Sequence, residues 1–87
     1  MTKEELKNAV IEAARKTWEQ QGAAVLAALG GSVTRDEVVE GLLNSDDLAK
    51  NLSAEEAAHY RQLPPLIRRA LLTLAFPEQL VSARLNS

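Results

Sequence analysis

Ser53-Ala54-Glu55-Glu56-Ala57-Ala58-His59-Tyr60-Arg61-Gln62-Leu63-Pro64-Pro65-Leu66-Ile67-Arg68-Arg69-Ala70-Leu71-Leu72-Thr73-Leu74-Ala75-Phe76 reads as two helices and the corner between them. Ser53 and Glu56 have the spacing of a capping box, in which a Ser or Thr accepts from the backbone N–H three residues on while a Glu there reaches back. Pro64-Pro65 forbids a continuous helix, and Pro65 suits the first position of a new one. Residues 65–76 are apolar on nearly every side except Arg68, Arg69 and Thr73, so this helix is predicted to be the most buried, with Leu66, Ile67, Ala70, Leu71 and Leu74 inside. Residues 54–62 are mostly polar or Ala and belong on the surface.

The same signature recurs upstream at Thr2-Lys3-Glu4-Glu5 and Thr34-Arg35-Asp36-Glu37, each followed by apolar residues at helical spacing. Helices are therefore expected to start near residues 3, 35 and 54. The first carries a stripe of Leu6, Val10, Ala13, Ala14, Thr17, Trp18, Val25 and Leu29 and stops at Gly30-Gly31. Gly22 costs about 1 kcal/mol relative to Ala and marks where this long helix would kink or break. A second helix, 35–43, presents Val38, Val39, Leu42 and Leu43, and Ser45 is placed to cap a single turn at Asp46 to Asn51. Pro77 ends the buried helix and opens a last one, 78–85, with Leu80, Val81 and Leu85. No stretch alternates as a strand does. The fold class is all-α, a compact bundle of four to six short helices forming a single domain over 1–87.

Composition narrows the function classes. The chain has 87 residues, 46% of them apolar, which is too many for disorder. It has no Cys and one His, so disulfides, thiolate metal sites and a Cys nucleophile are excluded. The first residues are charged and lead into no apolar core of a signal peptide. The longest purely apolar run, Ala23 to Leu29, is far short of the roughly 20 residues that span a bilayer. These features together predict a soluble cytoplasmic protein.

No Gly-rich phosphate loop or nucleophile–base pattern is present, so no enzyme and no cofactor are expected. Glu55 and His59 are four apart on one helical face, a spacing that can serve a metal, yet no motif supplies further ligands. They read as a surface pair, and no metal site is assigned.

Charge is distributed unevenly. Residues 1–18 and 61–87 are net basic and 19–60 net acidic, within an overall charge of −2. The acidic middle and basic tail are expected to attract, within one chain or between two. Lys7, Arg15, Lys16, Arg68 and Arg69 are the candidates for a nucleic-acid contact. Against that stand the pI near 5.3 and the absence of a helix-turn-helix register with either Gly41 or Gly30 as the turn glycine.

The segment from Leu52 through Leu63-Pro64-Pro65 to Leu72 resembles the helical hairpin that often follows the DNA-binding part of small bacterial and phage repressors. The resemblance covers about a quarter of the chain. It amounts to a capped helix, a Leu-Pro-Pro corner and an amphipathic helix, and assigns no family.

The expected function is a non-catalytic protein–protein interaction module, bacterial or phage in its Ala-, Leu- and Arg-rich composition, acting as a homodimer, an adaptor or a small inhibitor. Its expected contact residues are Trp18, Leu80, Val81, Arg84 and Leu85, with core anchoring as the other reading of Trp18. The alternative function is a transcription-related nucleic-acid binder using the basic residues named above. Protein, or a second copy of the chain, is the expected partner, and no membrane is.

Overall fold

Three side-chain oxygens start three helices where the sequence places them. In the structure, a computed structural model describing residues 2–31 and 33–79, Thr2 Oγ1 accepts from the Glu5 N–H at 3.0 Å and opens α1, Lys3–Ala28. Thr34 Oγ1 accepts from the Glu37 N–H at 3.3 Å and opens α2, Arg35–Leu43. Ser53 Oγ accepts from the Glu56 N–H at 3.1 Å, and Glu56 Oε1 accepts from the Ser53 N–H at 2.9 Å. That reciprocal pair opens α4, Ala54–Gln62. Between α2 and α4 lies the single turn α3, Asp47–Lys50, and Pro65 begins α5, Pro65–Ala75. No strand occurs among the described residues, and the fold is an all-α bundle. The predicted last helix, 78–85, lies almost wholly outside them.

α1 runs through Gly22 without a break. A Cβ there would stand 3.3 Å from Trp18 Cε2, so the glycine makes room for the indole, and the helix carries its propensity cost. The helix stops at a Schellman motif. Gly31 N–H bonds Leu26 O and Gly30 N–H bonds Ala27 O, with φ of +88° and +91°, values that Gly adopts without a Cβ clash.

The core gathers Val10, Ala13, Ala14 and Trp18 from α1, Val38, Val39 and Leu42 from α2, Leu48 from α3, Tyr60 from α4, and Leu72 and Ala75 from α5. Val33 and Phe76, just outside helices, complete it. Thr17 is its buried polar side chain: its hydroxyl donates to Ala13 O at 2.7 Å and accepts from Asn51 Nδ2 at 2.8 Å. α4 is largely exposed, as its composition predicts, and turns only Ala57 and Tyr60 inward.

The expected interior of α5 is overturned. Leu66 is 76% exposed, Leu74 50% and Ile67 45%; Ala70 is exposed and Leu71 only partly covered. Leu72, Ala75 and the adjoining Phe76 face inward instead. With apolar residues on both sides, burial alone does not choose the inward face. The contacts at the helix borders do. Arg69 pairs with Asp36 at 3.6 Å and with Glu40, and Arg35 Nε donates to Thr73 O at 3.0 Å, assisted by Nη2. Arg15 Nε donates to Ala75 O at 3.3 Å, and the Phe76 ring meets Trp18 edge-on, centroids 5.7 Å apart. Turning the leucines inward would break all of these.

Candidate functional site: the outward face of α5

Successive residues of a helix are rotated by about 100°. On α5 the side chains at 66, 70, 74, 67 and 71 therefore fill an arc of about 140° that holds Leu, Ala, Leu, Ile and Leu and no polar group. Four of the five are exposed, and Leu71 is half-covered. Pro64-Pro65 fixes where the arc begins, because the corner sets the entry of the helix. A soluble surface helix normally turns such an arc to the core and its charges to solvent. Here Arg68 and Arg69 lie half-buried on the side of the inward Leu72, while Leu66 and Leu74 lie outside.

Each border of the arc is built by a different helix. On one side the first turns of α1 and α5 enclose a groove of about 400 Å³ lined by Lys3, Glu4, Leu6, Lys7, Leu63, Ile67 and Leu71. Two lysines against one glutamate make this border net positive, and Lys7 Nζ stands 3.8 Å from Glu4. On the other side Glu40 of α2 lines a second groove with Leu66, Arg68 and Arg69, and Asp36 also meets Arg69, so that border carries charges of both signs.

Trp18 is only 3% exposed. The interface reading of Trp18 is thus corrected: it is a core anchor, held by Phe76 and by the room at Gly22. Leu80, Val81, Arg84 and Leu85 lie outside the described residues. The five basic candidates for nucleic acid are not gathered into one free face. Lys7 faces Glu4, Arg15 bonds the Ala75 carbonyl, and Arg69 is paired to α2. Arg68 is half-buried with its guanidinium carbon 5.8 Å from the Tyr60 ring centroid, its Nε without a hydrogen-bond partner, while Lys16 is exposed on α1. Burial pushes the Tyr60 phenol above its usual range, and Arg68 opposes that only in part. His59 Nε2 and Glu55 Oε1 stand 3.8 Å apart, both exposed, and no three His, Asp or Glu side chains converge among the described residues.

Reasoning from sequence missed the outward face because it assigned those residues to the core. One signal was available: Leu72, Ala75 and Phe76 also share a side of the helix, and the acidic residues of α2 call for Arg69 on its flank.

Fold and site together define a small all-α bundle with one inverted amphipathic helix. No protein-family model matches the chain, and neither do the curated proteins nor the solved structures at a significant level. No helix among the described residues is long and apolar enough to cross a membrane.

Proposed function

We propose that the chain is a non-catalytic protein–protein interaction module that docks through the outward face of α5. The observation that supports this most directly is the exposure of Leu66, Ile67 and Leu74 on an arc with no polar residue. Contiguous exposed apolar surface of this kind marks interaction sites, because leaving it in water forgoes about 25 cal/mol per Å². The absence of a nucleophile–base pattern in the sequence fits a binding role.

The test compares the full chain with its Leu66→Asp and Leu74→Asp variants, all immobilised and offered lysate and fresh copies of the chain. Both positions are exposed, so circular dichroism is expected to show unchanged helix content. The native chain should retain a stoichiometric partner that both variants lose. Identical capture by all three proteins would end the proposal.

A further inference from the structure

We infer that the occupant of the α5 face is an acidic amphipathic helix of another protein, seated lengthwise in the groove between α1 and α5. The inference rests on the docking reading above and adds the chemistry of the partner. The shape of the partner follows from the two helices that form its seat. The first turns of α1 and α5 lie side by side at the groove, and further along both helices Arg15 reaches Ala75 O and Trp18 meets Phe76. α1 and α5 therefore run in the same direction, with a trough between them. A trough between two aligned helices is where a further helix packs in a bundle. No strand occurs among the described residues, so they offer no sheet edge with which an extended peptide could pair. The groove can instead receive side chains from a helical ridge, against Leu6, Leu63, Ile67 and Leu71.

The sign of the partner follows from the charges that flank the apolar arc. Lys3 and Lys7 stand four residues apart on one face of α1, and Glu4 is the acid beside them in the groove. Lys7 meets Glu4 only at 3.8 Å, and Lys3 forms no ion pair among the described residues. On the α2 side Asp36 and Glu40 accompany Arg35, Arg68 and Arg69. Arg68 lies over the Tyr60 ring and has no carboxylate partner among the described residues. Cations thus exceed carboxylates by one on each border, although the whole chain carries −2. An acidic helix is attracted to this face and repelled by the net acidic remainder of the chain. A second copy presenting its own α5 would bring the same excess of cations, so like signs would meet. A partner helix with Asp or Glu at three- and four-residue steps beside its apolar stripe would align them with Lys3 and Lys7.

The probes are two labelled peptides of about 18 residues, long enough to form a helix, with a leucine stripe flanked by Glu in one and by Lys in the other. Fluorescence anisotropy against the full chain should show the Glu peptide binding at least about 10-fold tighter than the Lys peptide, by a margin that shrinks with added salt. Lys3→Glu combined with Lys7→Glu should reverse that preference while circular dichroism stays unchanged. Ile67→Asp, at an exposed position, should abolish binding of both peptides. Equal affinity for the two peptides, or a preference that survives the lysine reversal, would overturn the acidic partner. Binding of neither peptide would overturn a helix as the occupant, and the capture experiment above then decides separately whether the face docks at all. The full chain is also offered vesicles of phosphatidylglycerol and of phosphatidylcholine, and is sedimented alone over a range of concentrations. Retention by phosphatidylglycerol vesicles without binding of the Glu peptide would give the face to a membrane surface and overturn the inference. A dimer that Ile67→Asp dissociates would give it to a second copy, with the same result.

Discussion

Arg35 illustrates how single side chains set this fold. Its guanidinium donates through Nε and Nη2 to Thr73 O, an acceptor in the last turn of α5 that lacks an intrahelical partner. α5 has no basic residue of its own in that turn, so the cation that the helix dipole favours there comes from another helix. Arg35→Ala should lower stability by about 1.5 kcal/mol, read as a shift in denaturant midpoint at constant slope. Arg35→Lys should recover only part, since a single ammonium cannot reproduce the two-pronged contact. An unchanged midpoint in Arg35→Ala would mean that the cap contributes nothing. Tyr60 gives a second test. Its folded pKa is raised by burial above the ordinary 10.0. The native state therefore holds its proton longer than the unfolded chain does. The resulting stability is complete below pH 10 and is lost as pH rises toward the folded value. Tyr60→Phe should flatten the alkaline fall in stability relative to the parent, measured by denaturation at neutral pH and above pH 10. Parallel curves for the two proteins would show that the phenol is not responsible.

At the scale of the helix, the inverted orientation of α5 makes a sharp contrast. Leu72 is wholly buried, and Leu72→Ala should cost about 2–5 kcal/mol through lost transfer energy and the cavity left behind. Leu66→Ala and Leu74→Ala, on the outward face, should stay within about 0.5 kcal/mol in the monomer. The opposite order in thermal melts would return the leucines to the core. Helix starts were legible in the sequence because capping is local: Thr2, Thr34 and Ser53 act within three residues of themselves. Gly30-Gly31 announced the end of α1 for the same reason. The rotation of α5 was not legible from local pattern, because both of its sides are apolar. What fixes it lies 38 and 60 residues away, in Arg35 and Arg15. Nor did Gly22 announce its use. Its cost to the helix is a local property, whereas its benefit depends on where the Trp18 ring lies. The candidate site was hidden by that ambiguity in α5, since residues assigned to the interior were not considered for the surface.

Across the whole molecule, the attraction expected between an acidic middle and a basic tail is realised inside the chain, where Arg69 meets Asp36 and Glu40. Both carboxylates are more than half exposed, so the pairing is screened by water and contributes little. Replacing the two acids together, Asp36→Asn with Glu40→Gln, should lower stability by about 0.5–1 kcal/mol at low salt. That difference should vanish near 1 M salt, where screening acts over about 3 Å. A loss that persists at high salt would point to packing by Arg69 rather than to its charge. This arrangement also separates two roles of charge. Arg69 is engaged by the carboxylates of α2, while Lys3 and Lys7 remain at the border of the apolar groove.

The two arginine contacts on the last carbonyls of α5 bear on the order in which the chain assembles. Each closes a long loop, and closing it costs entropy that only the completed contact returns. Both donors lie on helices synthesised well before their acceptors. α5 therefore lacks these two holds on its rotation until α1 and α2 are formed. Once they are, it enters as a key whose wards are cut on the other two helices. Native-state hydrogen exchange should accordingly show the amides of α5 opening as one unit, below the global unfolding energy, while the middle of α1 stays closed. Should α5 prove the last element to open, it would be the frame for the others, and the arginines would merely decorate a helix already fixed.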